Sequence, residues 1–219
     1  MAVFTPVDLP QAQVLADRLQ LGQVSELKGI EGGIENTNYF LTTEGGAFVL
    51  TLFERLGFEQ LPFYLFLMKH LAHQGVAVPE PVADEHGEIL FELQGKPAAV
   101  VQRLAGANML QPEPRHCAAV GAALAQMHLA GRNYHRQQPN LRALSWWVET
   151  APLVRPHLND DQLSLLNHEL AYQQHIAQSP AYQGLPLGPI HADLFRDNVM
   201  FEEDRLSGFF DFYRSEEHT

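Results

Sequence analysis

The chain has 219 residues, of which 46% are hydrophobic and 10% aromatic, and its formal net charge is −12 at pH 7. This composition predicts a folded protein with one sizeable core or two small ones, and it argues against disorder. The chain is acidic and contains no run of basic residues that could contact a phosphate backbone, so nucleic acid is disfavoured as a partner. The single cysteine excludes an internal disulfide, and no apolar run reaches membrane-spanning length. We expect no membrane partner and a cytoplasmic location.

The pattern of the first 103 residues predicts a sheet with two helices. Asp8 followed by Pro10 predicts a capped helix that lies on the sheet. The run at 59–75 is apolar on nearly all sides, which predicts a buried helix. Five strand-like runs occupy residues 23–30, 36–43, 46–53, 87–93 and 97–104. The second and third runs are joined by a tight turn at 44–46, and the last two form another hairpin.

The remaining residues are predicted to be mostly helical. The helix at 115–131 is expected to be a core helix, and an amphipathic helix is expected at 159–178. The apolar face of the first of these helices is formed by Cys117, Val120, Leu124 and Met127. A short hairpin is predicted near the end of the chain, between residues 198 and 212.

The stretch GPIHADLFRDNVMF, residues 188–201, contains the polar groups of a candidate active site. His191, Asp193 and Asn198 have the spacing H-x-D-x-x-x-x-N, and Asp211 follows one predicted hairpin later. Phosphoryl transfer from ATP requires a carboxylate near the acceptor hydroxyl and hard oxygen ligands for Mg²⁺. Asp193 supplies the first, and Asn198 with Asp211 supplies the second. The spacing therefore favours a kinase.

Together with FFDF at residues 209–212, this stretch resembles the catalytic loop and metal-binding aspartate of the aminoglycoside/choline phosphotransferase branch of kinase-like folds. The runs GIEGGIENTNYFLTT, FVLTLFE and VVQRLAG are similar to the bacterial homoserine kinases of that branch. The resemblance implies an α+β, bilobal protein-kinase-like fold, with a five-stranded antiparallel sheet plus helix in the N-lobe and a mainly helical, incomplete C-lobe. It implies ATP-dependent phosphorylation of the L-homoserine hydroxyl, a step in threonine biosynthesis.

The same resemblance implies a role for each site residue. Asp193 corresponds to the catalytic base, and His191 to a histidine that braces the loop. Asn198 and Asp211 correspond to the Mg²⁺ ligands. A loop over the ATP phosphates is implied at residues 29–38, and a hinge that meets adenine through its backbone at 102–104. The residues expected to bind the nucleotide are Gly29, Gly32, Gly33, Asn36, Asn38, Gln102 and Leu104.

The third strand departs from the general kinase pattern. That pattern has a lysine that holds the α- and β-phosphates, whereas FVLTLFE has Thr51 there. Either Arg55, Lys28 or the backbone amides of the glycine-rich loop take up the phosphate charge, or nucleotide binding is weak. Because the similar homoserine kinases share the threonine, the departure favours them over the antibiotic kinases.

Two other functions stay open from the sequence alone. One is a kinase for another small alcohol, such as an aminoglycoside or choline. The other is an inactive nucleotide-binding fragment.

The resemblance covers residues 1–213 and divides them into an N-terminal nucleotide-binding lobe, 1–103, and a C-terminal catalytic lobe, 104–213. Members of the family continue beyond the metal-binding aspartate with further helices. The last residues, RSEEHT at 214–219, do not resemble the family. We therefore expect a C-terminally truncated reading frame with a non-native tail.

Overall fold

The computed structural model describes residues 3–31, 35–140, 142–214 and 216–218. The predicted nucleotide-binding residues Gly32 and Gly33 lie outside these ranges, as do residues 215 and 219 of the predicted tail. None of the helices in the described ranges has the length and apolar character that a membrane crossing requires.

The first part of the chain forms a five-stranded antiparallel sheet with the spatial order β1-β2-β3-β5-β4. The strands are β1 (Val24–Gly29), β2 (Asn36–Thr43), β3 (Gly46–Phe53), β4 (Phe91–Leu93) and β5 (Lys96–Gln102). The predicted five-stranded sheet is therefore confirmed, and β2 and β3 begin and end at the predicted residues. The turn between β4 and β5 has Gln94 and Gly95 in the left-handed region, at φ 54° and 69°, which suits a two-residue hairpin.

β4 is shorter than the strand predicted at 87–93, since only Phe91–Leu93 pair with β5. The Asp84 carboxylate explains the difference. It accepts hydrogen bonds from the N–H groups of His86 and Glu88 at 3.0 and 2.9 Å. These bonds close a local turn, which competes with strand pairing for the backbone groups at the start of the predicted strand.

The first helix, α1 (Leu9–Arg18), begins as the sequence predicts. The Asp8 carboxylate accepts the Gln11 N–H, and the Gln11 side chain accepts the Asp8 N–H, which together form a capping box. In the last turn, the Arg18 guanidinium donates two hydrogen bonds to the Asp84 carboxylate, at 2.9 and 2.8 Å. α1 is thereby fixed at both ends.

The alternation of β3 determines which side chains meet which helix. Successive residues of a strand point to opposite faces of the sheet. Leu50 and Leu52 pack with α1 in one core, whereas Phe53 packs in another with the predicted buried helix, α2 (Leu61–His73). Thr51 therefore lies on the α2 side of the sheet, and it is buried.

The second part of the chain is mainly helical. Its helices are α3 (Pro114–Gly131), α4 (Leu144–Val154), α5 (Asp160–Ala177) and α6 (Pro180–Gln183). The same part of the chain contains five short strands: β6 (Ala107–Asn108), β7 (Gly188–Ile190), β8 (Val199–Glu202), β9 (Arg205–Phe209) and β10 (Glu216–His218). β8 lies between β6 and β9, and β10 pairs with β7.

A third cluster of buried side chains joins the sheet to the helical part. Leu67 and Met68 of α2 pack in it with Phe209 and Phe212, which follow the catalytic loop. The Phe209 N–H also donates to the Ala77 carbonyl at 3.0 Å. The segment after α2 is thus tied to β9 by both apolar burial and a backbone hydrogen bond.

The core face predicted for α3 is only partly confirmed. Met127 is buried, and Val120 and Leu124 pack against the third cluster, but Cys117 is exposed. His116, the residue before Cys117, is buried and meets Phe201 of the third cluster edge-on, with ring centroids 5.1 Å apart. Cys117 is rotated from it by about 100° around the helix axis and so faces away from the cluster. The assignment of Cys117 to the core was therefore wrong.

We expect Leu50→Ala to lower the free energy of unfolding by about 2–5 kcal/mol, because a fully buried side chain leaves a cavity. The matched control is Leu165→Ala on α5, where the side chain is 69% exposed, and its effect should stay within about 0.5 kcal/mol. Denaturant unfolding measures both. Equal losses for the two variants would show that the core is not centred on β3.

Candidate active site

His191 directly follows β7, and it connects the predicted catalytic loop to the segment after β9 that carries Asp211. Its ring is only 2% exposed. Nε2 lies 2.8 Å from the Phe210 carbonyl oxygen, and Nδ1 lies 3.4 Å from the Asp193 nitrogen. Because Nδ1 accepts from a backbone N–H and Nε2 faces a carbonyl, the proton belongs on Nε2.

The same environment sets the charge of His191. Burial lowers the pKa of its imidazole, while the hydrogen bond to the Phe210 carbonyl and the negative charge of Asp193 oppose this effect. The direction of the pKa shift favours the neutral ring. A neutral imidazole with both nitrogens engaged holds the loop in place.

Asn198 is fixed by hydrogen bonds on its backbone and its side chain. Nδ2 donates to the Asp193 carbonyl at 2.8 Å, and the backbone carbonyl accepts the Phe210 N–H at 3.1 Å. Since the amide nitrogen is used within the loop, the oxygen Oδ1 is the side-chain atom available for a cation. An oxygen ligand of this kind fits the preference of Mg²⁺.

Asp211 directly follows Phe210, whose backbone contacts both His191 and Asn198. Asp211 has a left-handed backbone at φ 64°, as has Ala192 at φ 65°, and such conformations in residues other than glycine cluster at functional sites. The hydrogen bonds of Phe210 and Asn198 therefore hold the backbone segments that carry Asp193, Asn198 and Asp211 next to one another.

Asn108 holds the predicted catalytic loop from outside, and no sequence pattern points to it. Its Nδ2 lies 2.8 Å from the Asp197 carbonyl oxygen and 3.1 Å from that of Val199. The contact depends on the pairing of β6 with β8, which joins residues about ninety positions apart. No local motif predicts such a pairing.

The described part of the predicted phosphate loop lies at the β1–β2 end of the sheet. Gly29 pairs with Tyr39 across the two strands, and the Ile30 N–H donates to the Asn38 carbonyl at 2.9 Å. Asn36 begins β2, and Asn38 lies opposite Thr51 on β3. The Thr51 hydroxyl donates to Oδ1 of Asn38 at 2.7 Å.

The predicted hinge at 102–104 uses two of its N–H groups within the protein. The Gln102 N–H donates to the Glu80 carbonyl at 2.9 Å, and the Arg103 N–H donates to the Ala47 carbonyl at 3.1 Å. The Arg103 guanidinium also lies over the Phe40 ring, 4.0 Å from its centroid. A ligand at the hinge would therefore meet the carbonyls of this segment and the Leu104 amide.

Tyr213 is a second residue that sequence reasoning did not single out. Its ring meets Phe53 edge-on, with centroids 4.7 Å apart and planes at 80°. Burial and the negative charge of Asp211 raise the pKa of the Tyr213 hydroxyl, and the Thr51 side chain opposes this effect. The net direction keeps the hydroxyl protonated.

A sequence profile of the phosphotransferase enzyme family matches residues 26–216. The chain belongs to this family. The homoserine kinase of Polaromonas naphthalenivorans (strain CJ2) is 62% identical to this phosphotransferase over 97% of the chain and 67% of that protein. The homoserine kinase of Janthinobacterium sp. (strain Marseille) is 55% identical over 97% and 66%. The chain thus spans about two thirds of the length of these curated relatives.

Solved structures with the same fold include two enzymes that act on antibiotics. An amicoumacin kinase in complex with AMP-PNP, Ca²⁺ and Ami has a TM-score of 0.70 at 19% identity, over 94% of this chain and 65% of that chain. A spectinomycin phosphotransferase with ADP and spectinomycin has a TM-score of 0.64 at 14% identity, over 97% and 71%. These likenesses concern the fold alone, and they confirm the predicted kinase-like fold.

The lowered pKa of His191 predicts a pH dependence of stability. Because its pKa in the folded state lies below the ordinary value of about 6.5, the unfolded chain binds the proton first as the pH falls. The contribution of His191 to the free energy of unfolding is therefore fully present at a pH above the ordinary pKa, and it decreases as the pH falls from there towards the lower pKa of the folded state. We expect the free energy of unfolding to decline more steeply on acidification in the wild type than in His191→Gln, whose amide does not titrate.

Urea unfolding across the weakly acidic range measures this difference. His168→Gln on α5 removes an exposed histidine and serves as the control. A decline in His191→Gln as steep as in the wild type would show that His191 does not contribute to the pH dependence.

Proposed function

We propose that this chain carries the catalytic groups of an ATP-dependent homoserine kinase, which phosphorylates the L-homoserine hydroxyl. The observation that carries the proposal is the 62% identity to a homoserine kinase over 97% of the chain. The solved antibiotic kinases share the fold at only 19% and 14% identity, so they do not favour an antibiotic as the acceptor. The reaction is a step in threonine biosynthesis, and we assign it to the cytoplasm.

In this proposal Asp193 accepts the proton of the acceptor hydroxyl. Its backbone is held on both sides, because its N–H meets the His191 ring and its carbonyl accepts Nδ2 of Asn198. His191 is a positioning residue that fixes the base relative to Phe210 and Asp211. Such positioning matters because phosphoryl transfer depends mainly on placement and charge neutralisation.

Oδ1 of Asn198 and the carboxylate of Asp211 would hold Mg²⁺. Bound there with ATP, the ion would neutralise charge on the phosphates. Both ligands are hard oxygens, and Asn198 is turned by its Nδ2 bond so that its oxygen is available. The donor set present in the chain therefore fits the ion.

The nucleotide would lie between an N-terminal lobe, 1–103, and a C-terminal catalytic lobe, 104–213. We assign adenine to the hinge, with Leu104 as the N–H donor, because the Gln102 and Arg103 N–H groups are engaged. The backbone carbonyls of the hinge, including the carbonyl of Gln102, would face the exocyclic amine of adenine. The phosphates would lie under residues 29–38. There Gly29, which has no side chain, would let the backbone come close to the phosphates, and Asn36 and Asn38 would supply amide donors.

Substitution of the proposed base should separate chemistry from binding. We expect Asp193→Asn to lower kcat on the order of 10²- to 10⁴-fold, since an amide cannot accept the proton, with little change in Mg·ATP affinity. Asp211→Asn should instead weaken Mg²⁺-dependent ATP binding. Coupled-assay kinetics and calorimetry measure the two effects.

The matched control for both is Asp197→Asn, which alters an exposed carboxylate of the same loop. It should leave kcat and affinity unchanged. If Asp197→Asn lowered kcat as much as Asp193→Asn does, the assignment of Asp193 as the base would be contradicted.

The acceptor is tested by incubating the chain with labelled ATP and, separately, L-homoserine, choline and an aminoglycoside. We expect transfer to homoserine alone, and the Polaromonas relative serves as the positive control. Transfer to choline or the aminoglycoside but not to homoserine would overturn the proposed acceptor. Transfer to none of them, under conditions in which the relative is active, would identify an inactive nucleotide-binding chain.

A further inference from the structure

Residues 105–108 form a linking segment between the predicted hinge and the predicted catalytic loop. Two contacts fix this segment on the hairpin of β8 and β9. Its last two residues, which form β6, pair with β8, and the Ser207 hydroxyl of β9 donates to the Ala105 carbonyl at 2.7 Å. The linking segment therefore has a defined position relative to the hairpin.

Gly106 brings the linking segment closer to β8 than another residue type would allow. Its backbone is left-handed, at φ 86°, and a Cβ added at this position would overlap the carbonyl group of Phe201. Only glycine suits both this backbone conformation and this close approach. The position of the segment is thus built into the sequence at Gly106.

Asn108 ends the linking segment, and its side chain reaches the predicted catalytic loop. Nδ2 donates to the Asp197 carbonyl at 2.8 Å and to the Val199 carbonyl at 3.1 Å. An amide nitrogen carries two protons, which match these two acceptors. The two carbonyls belong to the residues on either side of Asn198, the proposed Mg²⁺ ligand.

These bonds help to determine the direction of the Asn198 side chain. Because a peptide unit is planar, the backbone at one residue rotates only about φ and ψ. The peptide unit before Asn198 is held by Asn108 through the Asp197 carbonyl. The peptide unit after it is held by the Phe210 N–H, which donates to the Asn198 carbonyl at 3.1 Å. With both units fixed, the Cα–Cβ bond of Asn198 has one direction, from which Oδ1 is presented.

A second side chain joins the same two segments in the opposite sense. The Arg196 guanidinium, which belongs to the predicted catalytic loop, donates to the Leu110 carbonyl at 3.1 Å. Leu110 lies two residues after Asn108. The loop and the chain that follows the hinge are therefore bound to each other by one side chain from each.

We propose that Asn108 is a positioning residue for Mg²⁺, which fixes the orientation of Asn198 and connects the base end of the nucleotide site to its metal end. The inference rests on the proposed function, since it concerns the same nucleotide and the same ion. Three residues separate Asn108 from Leu104, the proposed donor to adenine. Because this short segment is held at Ala105 and Gly106, the base and the ion are bound in one rigid frame.

The test measures how much Mg²⁺ tightens the binding of AMP-PNP. Calorimetry gives the affinity in Mg²⁺ and in EDTA for the wild type, Asn108→Leu and Asn108→Ala. We expect both variants to bind AMP-PNP roughly tenfold more weakly in Mg²⁺, which corresponds to about 1.4 kcal/mol, because the amide donor is lost. Their affinity in EDTA should equal that of the wild type, since contacts at the hinge do not require Asn198.

A double-mutant cycle tests whether Asn108 acts through Asn198. In the background of Asn198→Ala the proposed ligand oxygen is absent, so Asn108→Leu should cause no further loss of affinity in Mg²⁺. The matched control is Asn133→Leu, which makes the same replacement at an exposed asparagine after α3. It should bind AMP-PNP as the wild type does in both conditions. Thermal unfolding without ligand shows whether each variant is folded.

Three results would overturn the positioning role and leave the proposed function intact, provided that the wild type phosphorylates homoserine. The first is an unchanged affinity of Asn108→Leu and Asn108→Ala in Mg²⁺. The second is an equal loss in Mg²⁺ and in EDTA, which indicates general loosening of the fold. The third is a further loss from Asn108→Leu in the Asn198→Ala background, which shows that Asn108 acts on another group. Absence of AMP-PNP binding by the wild type would remove both the inference and the proposed function.

Discussion

The candidate active site depends on the backbone of Phe210. Its carbonyl meets Nε2 of His191, and its N–H donates to the carbonyl of Asn198. One peptide segment therefore binds both ends of the catalytic loop and carries Asp211 as the next residue. Because Phe209 and Phe212 on either side are fully buried, this backbone is held by apolar packing rather than by the polar groups that it positions.

Much of the fold follows from local sequence rules. β2 and β3 could be predicted to the residue because apolar and polar side chains alternate and glycines mark the turn, and the Asp8 capping box fixes the start of α1. β4 and the exposure of Cys117 could not be predicted. The length of β4 depends on a neighbouring turn, and the exposure of Cys117 depends on which of two adjacent residues, His116 or Cys117, faces the third cluster. The pattern within one element contains neither.

The candidate active site divides in the same way. Asp193, Asn198 and Asp211 can be selected from the sequence because one loop and one hairpin separate them along the chain. Asn108 and Tyr213 make their contacts across much longer sequence separations, so only the folded chain reveals those contacts. They are also common residue types at positions without a motif. The sequence therefore indicates the proposed reacting groups better than it indicates the side chains that pack around them.

α2 has two apolar faces, and each contacts a different part of the molecule. Leu61 and Leu65 pack with Phe53 of the sheet, whereas Leu67 and Met68 pack in the cluster that contains Phe209 and Phe212. No face of the helix is therefore left over for solvent along these turns, which explains why a segment inside a mixed sheet-and-helix protein has an almost continuous apolar sequence. A polar substitution on either face would disturb the sheet and the helical part through the same helix.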